Sequence, residues 1–300
     1  MSWERAIHPL LAIMFAPLLF GIINKTKACF GGRKGVPWLQ LYYDVFKLLR
    51  KGAVYSKTTT WIFRTGPTVG LAAVFVAILI LPCAGVPGSL SFSGDLMLFV
   101  YLFGLMRFVT MLAALDTGSS FEGMGASREA WFATLAELPL FLCLIVLAQK
   151  TAGLSLTAIY GALSWQVLWA NPGLLLVAIA LFVVFLTENA RIPVDDPNTH
   201  LELTMIHEVM VLDHGGPDFA FILYGVALKL WALGTLAVGM FLPTYGATLW
   251  INIAYFLGGM MLLAVVVGIV ESITARIKLI NIPQLLIGAA TFAILALCLR

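Results

Sequence analysis

Residues 172–216 read PGLLLVAIALFVVFLTENARIPVDDPNTHLELTMIHEVMVLDHGG. Sixteen residues pass without a charge before Glu188, and 188–216 then hold three aspartates, three glutamates, three histidines and one arginine. An apolar run of this length followed at once by dense ionisable chemistry is the pattern of a helix leaving a membrane. The chain as a whole repeats the apolar half: its 300 residues are 61% hydrophobic and only 11% charged, with a mean hydropathy of +0.99. No soluble domain reaches that value. The reading is an all-α, polytopic membrane protein of about eight spans, at 6–23, 66–84, 95–115, 130–149, 172–188, 217–242, 248–270 and 283–299. They fill residues 1–300 as a single membrane domain, with no internal repeat, low-complexity tract or soluble linker.

The basic residues set an orientation. With alternating spans, the loops near 24–65, 116–129, 189–216 and 271–282 share one side and carry thirteen of the 18 Lys and Arg residues. The positive-inside rule makes that side cytoplasmic and leaves the N-terminus outside, in a bacterial or archaeal cytoplasmic membrane. The first apolar run follows Glu4 and Arg5 and precedes no small-residue cleavage site, so it is expected to stay as a helix. Cys29, Cys83, Cys143 and Cys298 are scattered without C-x-x-C spacing, which argues against an iron–sulfur, zinc or nickel centre held by this chain.

The first loop carries GGRKGVPWLQLYYDVFKLL at 31–49. From Val36 onward, Leu39, Tyr42, Tyr43, Phe46 and Leu49 fall on one helical side and Asp44, Lys47, Arg50 and Lys51 on the other, as in an amphipathic helix lying in the interface. It reads as a basic lipid anchor or as a docking platform; GGRKG lacks the P-loop spacing. Between the third and fourth spans, LDTGSSFEGMGASREA at 115–130 offers Ser127 as an N-cap, with Glu129 complementing the dipole. Asp116, Glu122 and Arg128, among glycines, read as a tight loop pressed against another surface.

Ionisable groups inside a span cost about 2.5–3.5 kcal/mol each on insertion scales and mark function by default. Arg107, Glu137, Lys229 and Glu271 qualify. Glu137 and Lys229 are either a structural pair or a proton relay, because burial draws proton exchange by both groups toward neutrality; Glu271 is either part of such a path or a solvated end-cap. In the 188–216 stretch, Glu188 and Arg191 are three apart and can pair on one face. Pro193 stops the helix, and Asp196-Pro197 opens a short helix to about Leu212. On it His200, Thr204, His207 and Glu208 share one face, while Glu202 lies on the apolar face and needs a buried partner or a water-filled cavity. His200, His207 and His214 recur every seven residues, yet HEVM is not H-E-x-x-H, so a metal site is not expected. Asp195-Asp196 is reminiscent of the diphosphate motifs of membrane prenyltransferases, but the second aspartate cluster that chemistry needs is missing.

Along nearly its whole length the sequence resembles the eight-helix membrane subunit of membrane-bound [NiFe] hydrogenases of the formate-hydrogenlyase and hydrogenase-four type, a family related to the heel subunit of NADH:quinone oxidoreductase, respiratory complex I. Residues 31–49 match its first-loop pattern and 115–130 look like the hydrogenase branch. ENARIPVDDPNTHLEL at 188–203 is similar to the complex I pattern E-x-x-R-x-P-x-D-x-P-E-x-E-x-E-L, with Glu188, Arg191, Pro193, Asp195, Pro197, Glu202 and Leu203 in place. Asn198 and His200 replace two of its acids, which weakens quinone as a ligand.

The resemblance implies a subunit without a redox centre or bound cofactor of its own. It would join a nickel–iron large subunit and an iron–sulfur small subunit, which carry the [NiFe] centre and clusters, to antiporter-like membrane subunits. Its other partner is membrane lipid, and nucleic acid is not expected. Proton or sodium movement would run through Glu188, Asp195 and Glu202, with Arg191 pairing to tune them, and on through Glu137, Lys229, Arg107 and Glu271. Arg33, Lys34, Asp116, Glu122, Arg128, His200 and His207 are the candidate docking groups. A quinone-binding heel subunit and a purely structural anchor are the competing readings.

Overall fold

The structure, a computed structural model, describes residues 3–149, 153–163, 165–195, 205–242 and 248–299. It is built from helices: α1 Ile7–Phe30, α2 Gln40–Leu49, α3 Trp61–Ile80, α4 Asp95–Asp116, α5 Ser120–Gln149, α6 Leu156–Ala162, α7 Trp165–Ala170, α8 Pro172–Glu188, α9 Gly216–Phe241, α10 Leu249–Ile273 and α11 Ile282–Cys298. Among the described residues, seven helical stretches are long and apolar enough to cross a membrane, and the shorter apolar α8, at 17 residues, lies where the eighth span is expected. A 17-residue helix is about 26 Å long, close to the roughly 30 Å hydrocarbon core. Proline marks the first turns of α8, α9 and α11, where its missing N–H is not needed. Pro17, Pro67 and Pro139 sit inside spans, where neighbouring helices tolerate them.

Helix α9 lies at the centre. Of its most apolar window 72% is buried, against 33% for α4, α10 and α11. Helices α3, α1, α2, α8 and α10 all pack on it, α3 also packs on α4, and α5, α8 and α11 pack on one another. Leu10, Met14, Tyr101, Phe108, Leu138, Leu175, Tyr255 and Leu262 stay exposed on the perimeter, as a lipid-facing surface requires. At one end the connections interlock: Asp116 Oδ2 accepts from Thr60 N at 2.6 Å and Phe63 N at 3.3 Å, and Glu122 Oε1 accepts from Asp213 N at 3.0 Å. At the other end Leu96 N donates to Leu154 O and Ser89 Oγ to Arg5 O.

Three local expectations change. Helix α5 starts at Ser120 rather than near 130, so 120–129 is helix and not a tight loop, and Ser127 is an interior residue whose hydroxyl donates to Met124 O at 2.9 Å rather than an N-cap. Glycine within a helix costs about 1 kcal/mol against alanine, but Gly125 has a packing reason: a Cβ there would lie 2.3 Å from Val209 Cγ1. Helix α2 begins at Gln40, after Pro37 rather than at Val36. The helix expected from Pro197 to Leu212 is reduced, within the described residues, to the 3-10 turn Glu208–Val211; Asp196, Asn198, His200 and Glu202 lie outside them.

Candidate functional site

The segment after α8 does not lie on the surface. Asn189, Ala190, Arg191, Ile192, Val194 and Asp195 are all buried, and Glu188 touches the middles of α4 and α9. Arg107 is nine residues from the end of α4, about 14 Å along its axis, and Lys229 is thirteen residues into α9, about 20 Å. Irregular backbone at such depth survives only where protein satisfies it. Here Arg191 N donates to Leu186 O at 2.9 Å, Val194 N to Arg191 O at 2.9 Å, and Ile277 N to Pro193 O at 2.9 Å.

Around Glu188 four helices contribute one charge each. Arg107 donates to Glu188 Oε1 at 2.7 Å, Lys229 reaches Glu188 Oε2 at 3.0 Å, and the other guanidinium nitrogen of Arg107 donates to Glu137. Two cations thus face two carboxylates, and the set is neutral. Arg107, Glu188 and Lys229 are buried, whereas the Glu137 side chain is 37% exposed on the flank of the bundle. Arg107 and Glu188 also border a cavity of about 10 Å³ shared with Glu129, Asp195 and His207, close to the least volume that admits one water.

A second cluster lies beside the first. Glu271 is fully buried between Lys27, 2.8 Å away, and Arg191, 3.3 Å away, and the Arg191 guanidinium stacks 4.4 Å from the Phe20 ring centroid. The solvated end-cap reading of Glu271 is therefore not what the structure has. A Cβ at Gly268 would lie 2.6 Å from Thr26 Cβ, so the glycine is what lets α1 and α10 approach and bring Lys27 to Glu271. The expected Glu188–Arg191 pair is also replaced. Helix α8 ends at Glu188 and the chain turns at Ala190, whose φ is +50°; Arg191 therefore leaves the helical face it would share with Glu188. Asp195, in turn, binds Arg276 at 2.7 Å through Oδ1 and accepts from Ile206 N at 3.2 Å and His207 N at 3.4 Å through Oδ2.

Of the docking candidates, Arg33 and Lys34 are exposed. Asp116 caps α3, Glu122 is buried against Asp213 N, and Arg128 donates to Met205 O at 3.0 Å. His207 stands 3.3 Å from buried Glu129; Glu122 and Arg128 thus brace the chain's own 205–213 segment, while Asp116 ties the start of α3 to the end of α4. His214 stacks on Phe63, with ring centroids 3.9 Å apart; burial pushes its pKa below the usual imidazole value, against the pull of Asp218 and Asp213. His207 and His214 thus face different partners. Lys27, Glu129 and Arg276 escape sequence reasoning: Lys27 and Arg276 lie beyond the apolar runs that define the spans, and Glu129 reads as a first-turn acid complementing a helix dipole. Separately, α2 leaves an apolar groove of about 420 Å³ against Pro17 and Tyr224, walled by Tyr42, Tyr43, Val45, Phe46 and Leu49.

Comparison with known proteins places this geometry. A family model described as NADH dehydrogenase matches residues 5–299. Formate hydrogenlyase subunit 4 of Escherichia coli (strain K12) is 31% identical over 303 residues, covering 97% of this chain and 95% of that one. Hydrogenase-4 component C of the same organism is 30% identical over 275 residues, covering 89% and 85%. In a solved structure, that of the membrane-bound sulfane sulfur reductase, an archaeal respiratory membrane complex, one chain shares the fold with a TM-score of 0.82 at 24% identity over 98% of each chain. The multi-pass helical fold, the matched length and two relatives at 30% identity or more agree: the chain belongs to the NADH dehydrogenase family, in its complex I subunit 1-like form.

Proposed function

We propose that the chain is the membrane-arm subunit of an energy-converting [NiFe] hydrogenase or formate hydrogenlyase complex, joining hydrophilic redox subunits to the membrane and carrying part of a proton or sodium path. The observation that carries it is Glu188 bridging Arg107 and Lys229 inside the bundle, with Glu137 reaching the flank. An ionised carboxylate facing hydrocarbon is costly, so the 37% exposure of Glu137 suits a flank covered by another membrane subunit, antiporter-like in this reading. The names of the two relatives support the hydrogenase assignment. Partners would supply the [NiFe] centre and iron–sulfur clusters; Arg33, Lys34 and the interfacial α2 would meet them or the lipid. The end bearing thirteen of the 18 basic residues would be cytoplasmic, with the N-terminus outside in a bacterial or archaeal cytoplasmic membrane.

The chain's own residues would hold and move charge without redox chemistry. Moving one charge against 100 mV needs about 2.3 kcal/mol, so the path needs a two-state element. The buried 189–195 segment, tied to α10 through Asp195–Arg276 and Arg191–Glu271, is that element in this proposal, and Glu202 belongs to its continuation. The test is to purify the chain with its partners, measure nickel, iron and hydrogen evolution from a reduced dye, and then measure coupling in Glu137→Gln, Glu202→Gln and Lys229→Met. Metal and hydrogen with loss of coupling support the proposal; wild-type coupling in all three variants leaves a structural anchor. The α2 groove favours one second reading, a quinone-binding heel subunit, which requires oxidation of dye or NADH that depends on added quinone, without nickel.

A further inference from the structure

Glu129 and His207 are not used by the path described so far. Glu129, on α5, is buried, and its Oε2 lies 3.3 Å from His207 Nδ1 without hydrogen-bond alignment. The His207 side chain is 30% exposed, that of Glu129 5%, and those of Arg107 and Glu188 6% and 3%. Exposure therefore falls from the loop surface to the centre of the network within one cavity, lined by all four groups. The ring is held there by its own backbone, since His207 N and Ile206 N both donate to Asp195 Oδ2 while Arg276 fixes the other oxygen.

The charged neighbours suit proton transfer. His207 is faced by Glu129 from α5, by Asp195 from the buried segment, and by Arg107 of α4 and Glu188 of α8 across the cavity, with Glu208 next to it in the chain; Arg128 and Arg276 are engaged with Met205 O and Asp195. Arg107 and Lys229 already occupy both oxygens of Glu188, so a proton entering from the loop meets Glu129 as the nearest carboxylate.

We propose that His207 and Glu129 form the proton-loading pair of this chain, a role that rests on the ion-path reading above. His207 takes a proton at Nε2 from the loop side and gives the Nδ1 proton to the Glu129 carboxylate. One proton enters the ring and one leaves, no electrons move, and Glu129 becomes a neutral acid bordering the cavity of Glu188 and Arg107. The ring is left protonated at Nε2; it regains its starting tautomer when it turns Nδ1 to the loop side, where Nδ1 takes a proton and Nε2 gives one up. General acid–base groups of this kind contribute roughly 10²–10⁴-fold to the rates they serve.

The test uses the intact complex in sealed vesicles, driven by a reduced dye, with proton uptake and dye oxidation read together between pH 6 and 8.5. His207→Ala is expected to lower uptake per dye oxidised by at least about tenfold, with recovery on adding imidazole, and Glu129→Gln should lose uptake without recovery. A brace cannot be replaced by free imidazole. Lys229→Met tells the two readings apart. If it abolishes uptake while His207→Ala and Glu129→Gln follow the wild-type pH profile, the pair is refuted and the path stands; if Lys229→Met also pumps normally, the path itself is wrong. Loss of the hydrophilic subunits from the His207→Ala complex without imidazole recovery would make His207 a brace or docking group and overturn the proposal.

Discussion

Lys229→Met tests whether the buried network is held by charge balance. In the intact protein Arg107 and Lys229 face Glu188 and Glu137; the variant leaves one negative charge in excess and an unpaired Glu188 Oε2 in a site whose side chain is 3% exposed. At 3.0 Å, a unit pair attracts by about 5 kcal/mol at an effective dielectric near 20. Relief of the lysine's own desolvation offsets part of that, and removing one partner of a buried pair typically costs about 3–5 kcal/mol. Glu188→Gln leaves the opposite excess. The double variant keeps only Arg107 with Glu137, neutral again, and should recover about 2 kcal/mol over either single. At about 2–3 °C per kcal/mol for a chain of this size, each single should melt roughly 6–15 °C below wild type, with the double above both. Heating the purified complex in one detergent and labelling the buried Cys83 and Cys143 thiols, with exposed Cys29 and Cys298 replaced by serine, gives the midpoints. Singles within about 2 °C of wild type, or a double below the worse single, would refute the balance argument.

Three further outcomes follow from the same geometry. Gly125→Ala places a Cβ 2.3 Å from Val209 Cγ1 and 3.0 Å from Met210 Cγ, so the 205–211 segment must shift; a loss of about 1–3 kcal/mol and faster proteolysis of that segment are expected, and an unchanged digestion pattern would count against the close approach. Glu271→Gln removes the buried carboxylate charge between Lys27 and Arg191 and should lose about 3–5 kcal/mol, whereas Lys27→Met keeps the Arg191–Glu271 pair and, because Lys27 is 23% exposed, should lose far less; equal melting points would place the energy elsewhere. His214 is held neutral by burial, its pKa lowered from 6.5. The unfolded chain therefore binds the extra proton first as pH falls below about 6.5, and stability falls with it. His214→Phe keeps the stack on Phe63 and should flatten this acid limb of melting temperature against pH.

What the sequence made legible followed from solvent. The apolar runs at 95–115 and 172–188 reappear as helices within a residue or so of their expected ends, because every backbone group in a span must be bonded internally and charge ends the run. Arg107, Glu137, Glu188 and Lys229 stood out singly for the same reason. Partners did not, because pairing depends on crossings between helices far apart in the chain: Arg107 and Glu188 are 81 residues apart. The Glu188–Arg191 pair failed because helical spacing ceases to apply once the backbone turns at Ala190. The start of helix α5 is not legible because Gly123 and Gly125 signal a loop locally, while packing against Val209 keeps a helix there.

By itself, then, the sequence determined solvent, element type, approximate spans and the resemblance, all set by local composition and period. Only the tertiary structure decided that 189–195 enters the bundle, that Glu188 is shared by two cations, that Glu271 lies between Lys27 and Arg191, and that Glu129 meets His207. The reason is physical: the free energy of a buried charge depends on which opposite charge comes within about 3 Å of it, and that distance is a property of helix packing rather than of neighbours along the chain.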